Sequence, residues 1–343
     1  MTPAEIDPSR GDPDRLEPQA VGADIPEAGD GGADLSFLAP PEALADWRMV
    51  LAYEAAAGAG VLAALPGSVV ELAARCDLDE GALRAVLGQL AACGIVAADD
   101  QGRYASGPEA PVAPHDAMLS VHGAVIRRWA ALLGPRLRDR TATSDEVPAS
   151  PPTSVWLDLL AVNARRLAQP VLDICLERFP HAARVLDLGG GHGEYSLELV
   201  RRGLRPTMQD LPEVIEIAER RSRLADAGVE LFAGDFFATL PSGQFDLVLC
   251  AGVTHVFDGS SNRELYRRLR PIIAPGGGLA IVSFLRGRNR VAASFGLQML
   301  AWTDGGDAHG EDDYRRWLAE AGYGPPEVHD LDNRPQTVVL AGY

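Results

Sequence analysis

Lysine is absent from this chain of 343 residues: all 31 fixed positive charges are arginines, and 48 carboxylates outweigh them to a formal net charge of -17. The sequence pI lies near 4.8. A nucleic acid or an anionic membrane surface asks for a basic footprint, so neither is expected as a partner. Cysteine is sparse as well. Its four copies, Cys76, Cys93, Cys175 and Cys250, stand far apart without a C-x-x-C pair, which leaves no disulfide framework and fits free thiols in a reducing cytosol. No run of about 18 apolar residues occurs, and no basic flank followed by an apolar stretch opens the chain, so a membrane span or secretory leader is not expected and a cytoplasmic location is. What the chain does have is 47% hydrophobic residues over a length that suits two domains of ordinary size.

Its organisation divides into four parts. Residues 1–36 are an acidic tail with almost no large apolar side chains; such a segment cannot offset its ordering entropy and is expected to be disordered. Residues 37–110 turn helical from Ala43. The rhythm Val69 to Ala74, a turn at Asp77-Leu78-Asp79, a helix Ala82 to Ala92 capped by Asp79, and a hairpin turning at Asp99-Asp100-Gln101-Gly102 reads as a winged helix. Its second helix carries only Asp79, Glu80 and Arg84 as charges, too few cations for DNA. Residues 111–181 read as linker helices, broken at Thr141 to Ser154 by Pro148, Pro151 and Pro152. Residues 182–343 alternate strands and helices as a doubly wound parallel sheet does, with strands at 184–188, 205–209, 229–233, 245–250, 279–284, 327–330 and 337–341, and Pro275 to Gly278 as a turn before the fifth.

Chemistry concentrates at Val185-Leu186-Asp187-Leu188-Gly189-Gly190-Gly191-His192-Gly193, an apolar strand entering a glycine turn. Glycines at 189, 191 and 193 let the backbone turn sharply and approach a ligand. A nicotinamide fingerprint would place glycine at 194, where the chain has Glu194. Asp210 ends the next strand, with Leu211 and helix-starting Pro212 behind it, and Gly234-Asp235-Phe236 follows the third.

These three elements in register resemble class I S-adenosylmethionine-dependent methyltransferases. Together with the winged-helix rhythm, the chain from Ala43 onward is similar to small-molecule O-methyltransferases of the plant caffeate type and their bacterial antibiotic-pathway relatives. The resemblance implies a Rossmann-like doubly wound sheet preceded by a mostly α winged-helix domain that mediates homodimerisation. It implies S-adenosylmethionine as cofactor, with Asp187, Gly189 and Gly191 on the glycine turn, Asp210 and Leu211 at the ribose, Asp235 and Phe236 at the adenine, and Cys250 at the end of the fourth strand. Asp187 would order the loop amides or meet the amino-acid part of the cofactor through water. His255 would be the base that takes the acceptor's hydroxyl proton, a sensible role for an imidazole facing a phenol. His122, Trp156, Asn163, Met299 and Trp302 would line the pocket of a small-molecule acceptor, a phenol or polyketide-type natural product.

The resemblance has departures. Val256 follows the histidine where plant members carry aspartate, and the positions that would orient the imidazole with carboxylates are Ser283 and Ala308. Some relatives of this fold bind the cofactor yet hydroxylate, decarboxylate or catalyse pericyclic steps, and a few keto-acid C-methyltransferases use a metal. His309 with His255 makes a poor metal set, so no metal is expected. A winged-helix regulator that senses the cofactor is a further alternative, disfavoured by the acidic balance.

Overall fold

The structure, a computed structural model, describes residues 47–111, 115–147 and 149–343. The expected acidic tail lies outside the described residues. The chain opens with α1 (Trp47–Gly58), α2 (Val61–Ala64), β1 (Gly67–Ser68), α3 (Val69–Cys76), α4 (Glu80–Ala92), β2 (Val96–Ala98) and β3 (Arg103–Ser106). Local chemistry sets these boundaries. Ser68 and Glu71 form a reciprocal capping box at the start of α3, and Asp79 accepts from the Ala82 amide to cap α4. The Asp99 carboxylate takes the amides of Gln101 and Arg103, which tightens the turn between β2 and β3. The three strands form an antiparallel sheet in the order β1-β3-β2. Leu72, Leu83, Leu87 and Leu90 are buried beneath it with Met49, Val50 and Tyr53 of α1.

Two long helices follow, α5 (His115–Arg136) and α6 (Thr153–Arg178). The segment between them is irregular, as its prolines require. Pro170 sits inside α6 without ending it. Both halves of that helix bury one apolar stripe, Leu167, Ala168, Val171, Leu172 and Cys175, against the sheet, and this packing outweighs one lost backbone bond.

The remainder alternates: β4 (Arg184–Leu188), α7 (Glu194–Arg201), β5 (Arg205–Asp210), α8 (Pro212–Ser222), β6 (Glu230–Ala233), β7 (Phe245–Ala251), α9 (Gly259–Leu269), β8 (Ile273–Ser283), α10 (Arg290–Trp302), α11 (Glu311–Glu320), β9 (Glu327–Asp330) and β10 (Thr337–Gly342). The strands make one seven-stranded sheet in the order β6-β5-β4-β7-β8-β10-β9. Strands β4 to β8 pair in parallel, whereas β10 inserts antiparallel between β8 and β9. Near-continuous apolar runs such as Leu247 to Cys250 and Leu279 to Val282 suit strands covered by helices on both faces, and every one of these side chains is buried.

One expected boundary moves. Pro275 to Gly278 belongs to β8 rather than to a turn ahead of it: the register against β7 jumps from Phe245 opposite Ile273 to Leu247 opposite Gly278. The surplus residues bulge out of the ladder, with Gly276 at φ 83°.

Four side chains of α5 and the segment after it strap onto α10. Arg128 donates to the Ala301 carbonyl, Trp129 to Gln298 Oε1, Arg136 to the carbonyls of Leu300 and Thr303, and Arg140 to those of Asp304 and Gly306.

Candidate active site

The carboxyl ends of β4, β5, β6 and β7 lie along one edge of the sheet, the edge at which open α/β sheets bind ligands. Beyond β4 the backbone of Gly189, Gly191 and Gly193 takes positive φ of 68°, 55° and 78°. A side chain at Gly189 would also meet Val253 Cγ2 at 2.5 Å, so the turn admits no larger residue there. The amides of Gly189 and Gly190 donate to the Gln209 carbonyl, and that of Gly191 to Asp210 Oδ2 at 2.9 Å. Asp210 Oδ1 accepts from the Leu211 amide, and Leu211 itself is exposed at the start of α8. Asp210 therefore holds the glycine turn as well as facing the edge.

That overturns the first of the two roles expected for Asp187, which bonds no loop amide. It lies beneath the turn, where Oδ2 accepts from the Ser196 hydroxyl at 2.7 Å and Oδ1 is buried without a partner. Burial, with the Asp210 charge as a lesser cause, raises its carboxyl to about 6. In the unfolded chain this group loses its proton near 3.8, so the folded state is favoured below that pH and forfeits stability as pH rises from there to about 6. Two units correspond to roughly 3 kcal/mol. Asp187→Asn keeps an acceptor for Ser196 and removes the ionisation. Its melting temperature should exceed that of the wild type at pH 7.5 and match it near pH 4; melts at both pH values check this, and an equal difference at both would refute it.

Asp235 is exposed and caps its own turn through the Phe237 amide. Phe236 is half-buried, edge-on to Phe257 with centroids 5.9 Å apart and tilted against Phe237 at 5.1 Å. Gln209 Nε2 ties the same loop down through the carbonyls of Gly234 and Thr239. The Cys250 side chain is misplaced by the sequence reading. It is fully buried in the core beside Leu186, Leu188 and Tyr266, because alternation along β7 turns it away from the cavity that Ala251 and Gly252 line.

That cavity, about 340 Å³, runs from the glycine turn to the strapped helix α10. It brings together all five expected acceptor residues, His122, Trp156, Asn163, Met299 and Trp302, with His255, Gly189 and Gly191. Trp156 and Trp302 meet edge to face at 5.0 Å. Leu160 and Val256 line the cavity yet are exposed, which marks its mouth.

His255 sits in a 3-10 turn, Thr254–Val256, just beyond β7. Its Nδ1 lies 3.4 Å from Ser283 Oγ, and its ring packs edge-on against Phe295 at 4.6 Å. Burial first, and His309 second, hold its imidazole down to about 3. Ser283 thus occupies the orienting position with a neutral hydroxyl. Ala308 packs with Phe284 and Phe295 in a small apolar cluster and offers the ring no polar group. His309 turns away: its Nε2 donates to the Phe257 carbonyl at 2.8 Å and its ring rests on Trp317. Among the described residues no group of three or more His, Cys, Asp or Glu gathers to hold a metal.

Several cavity residues escaped the sequence reading. His192 lines the cavity from the glycine turn, where its Nδ1 accepts from the Glu194 amide and burial lowers it to about 4. Gln298 was signalled only by its place on the same helical face as Phe295 and Met299. Gln336, just before β10, carried no signal at all.

The cofactor's fit rests on this geometry. The cradle at Gly189 and Gly191 is open only because no Cβ fills it, a buried carboxylate oxygen beneath it has no partner, and Asp210 and Asp235 close the edge. Comparison with known proteins agrees. Residues 154–324 match the O-methyltransferase domain family. A 3-amino-4-hydroxybenzoate 4-O-methyltransferase of Streptomyces cremeus is 29% identical over 303 residues, covering 81% of this chain and 82% of the relative. A 3-hydroxy-5-methyl-1-naphthoate 3-O-methyltransferase of Streptomyces sahachiroi is 35% identical over 185 residues, where the chain spans 51% of the relative's length. The solved mitomycin 7-O-methyltransferase shares the fold at a TM-score of 0.72 and 23% identity, covering 86% of this chain and 94% of that one. Human N-acetylserotonin methyltransferase, solved with S-adenosylmethionine, gives 0.69 and 22% over 85% and 93% of the two chains. The chain belongs to the class I S-adenosylmethionine-dependent O-methyltransferases.

Proposed function

We propose that the protein methylates a hydroxyl on an aromatic or polyketide-type small molecule in secondary metabolism, and works as a cytoplasmic homodimer. The observation that carries this reading is the largely apolar, aromatic-lined cavity joining the glycine turn to a buried imidazole. Bound at the turn, S-adenosylmethionine supplies an electrophilic methyl group on a sulfonium. Asp210 takes the ribose hydroxyls, with Leu211 beside it. Asp235 takes the adenine amine, Phe236 packs on the base, and Asp187 faces the amino-acid part.

Trp156, Met299 and Trp302 hold the acceptor flat, with His122 and Asn163 at its polar rim. His255 receives the hydroxyl's hydrogen bond and then its proton. With Ser283 Oγ accepting from Nδ1, the lone pair stays on Nε2. A neutral imidazole this weak cannot ionise a phenol beforehand. The hydroxyl becomes strongly acidic as its oxygen forms a third bond, to the methyl carbon, while the sulfonium sulfur would keep the electron pair of the C–S bond that breaks; the proton therefore passes to His255 in step with C–O bond formation, and alignment supplies much of the rate. Residues 37–110 serve as the winged-helix dimerisation domain, residues 111–181 as the pocket wall and residues 182–343 as the catalytic domain; the cavity mouth at Leu160 and Val256 is where a second subunit would close it.

S-Adenosylhomocysteine release with a panel of phenols, naphthoates and anthracycline-like polyketides tests the activity. Release with one acceptor class supports the reading; tight cofactor binding without release on any acceptor refutes it. Asp210→Ala should weaken cofactor binding about ten- to a hundredfold, the size of a charge-assisted hydrogen-bond pair, measured by calorimetry.

A further inference from the structure

Among the described residues lining the cavity there is no Asp, Glu, Lys or Arg. Its polar groups are imidazoles, amides, hydroxyls and two indoles. Three arginines bonded around the cavity wall are engaged elsewhere: Arg165 pairs with Glu194 at 2.8 Å, Arg128 donates to the Ala301 carbonyl and lies over the Trp302 ring, and Arg136 donates to the carbonyls of Leu300 and Thr303 at the end of α10. Burial keeps His192 and His255 neutral at physiological pH.

Gln336 and Trp302, both lining side chains, have buried polar atoms without partners. Gln336 is 96% buried by the complement of its 4% exposure, and neither its Oε1 nor its Nε2 makes a hydrogen bond. Trp302 Nε1 is likewise buried and unpaired. Native proteins rarely leave such groups unsatisfied, and an amide with both ends free inside a ligand cavity points to a ligand that satisfies them. The topology explains how Gln336 arrives there. Because β10 runs antiparallel, with Thr337 opposite Ser283, the residue that enters it lies at the carboxyl edge beside His255 and Ser283.

We infer that the acceptor is an uncharged phenol carrying a carbonyl-type group, an ester, amide or quinone, and that the Gln336 amide and the Trp302 indole N–H read that group. This rests on the methyl-transfer reading and deepens it. A carboxylate placed in the same cavity would lose its hydration and meet no Lys or Arg among the described lining residues, whereas a carbonyl accepts from the indole and an amide both accepts from and donates to Gln336. The S. cremeus relative is named for a benzoate acceptor, so the inference predicts a divergence in specificity from it.

Matched acceptors separate the cases. 3-Amino-4-hydroxybenzoic acid, its methyl ester and its primary amide, and 3-hydroxy-1-naphthoic acid with its methyl ester, are titrated at pH 7.5 into the full-length protein saturated with S-adenosylhomocysteine, and kcat/KM is measured in parallel. The neutral members should bind at least tenfold more tightly than their acids. Gln336→Leu should remove most of the amide's advantage while leaving the dissociation constant of S-adenosylhomocysteine unchanged, and Gln336→Glu, of the same length, should disfavour the acids further. Acids that bind as well as the neutral members, a Gln336→Leu protein with unaltered acceptor affinities, or no binding by any neutral member would each overturn the inference. Preference for neutral ligands in binding with no methyl transfer to any of them would instead overturn the methyl-transfer reading alone.

Discussion

Replacing His255 by alanine should lower kcat with the preferred acceptor by about a hundred- to ten-thousandfold, the range of a positioned general base, while the dissociation constant of S-adenosylmethionine stays within about twofold. The lost edge contact with Phe295 leaves a small gap rather than a broken fold. The pH profile of the wild type supplies the second readout. Because burial holds the imidazole at about 3, the base is already unprotonated across the physiological range, and no acid limb centred near 6.5 should appear. Stability behaves differently. The unfolded chain takes up a proton at this histidine near 6.5 and the folded chain does not, so stability from this group is present above that pH and is lost as pH falls toward 3, by several kcal/mol. Acid inactivation should therefore coincide with unfolding followed by circular dichroism. A limb at pH 6.5 in a fully folded protein would contradict this account.

Arg136→Ala is expected to be the most damaging single change outside the catalytic edge. The guanidinium is buried and supplies donors to three carbonyls, Ala142, Leu300 and Thr303, and to Asp304 Oδ1. Two of those carbonyls belong to the C-terminal end of α10, where helices leave acceptors unpaired and the macrodipole favours a cation. Truncation strands them in an interior that water cannot readily enter, at a cost of roughly 3 to 5 kcal/mol. For a chain of this size that is a fall in melting temperature of about 4 to 7 °C. Acceptor KM should rise with it, since Met299, Trp302 and Thr303 all line the cavity. Arg140→Ala, a more exposed neighbour bonded to the same segment, should cost far less. A melting temperature within about 2 °C of wild type for Arg136→Ala would sink the argument.

The sheet was legible because its strands are apolar runs bounded by glycine, and because Leu331 to Gln336 separates two short runs as an antiparallel return does. The glycine turn, Asp210 and His255 were legible because the residue types at those spacings have few other uses. What escaped depended on direction or distance. Cys250 was expected at the cofactor edge, and only the parity of β7 shows it facing the core. Asp187 was read as a loop organiser, but the loop's amide is taken by Asp210 and its own partner, Ser196, lies on the next helix. Arg136 lies more than 160 residues from the carbonyls of Leu300 and Thr303 that it holds, and Gln336 reaches the cavity only because the last pairing of the sheet runs backwards.

The reversed β10 has a consequence for assembly. It must insert between β8 and β9 after both, and the cavity draws on residues from Val121 to Gln336. Contacts so distant in sequence form late and slowly. The glycine turn, built wholly within β4, β5 and their connections, can take shape early. A refolding chain is thus expected to shape its glycine turn before its acceptor cavity.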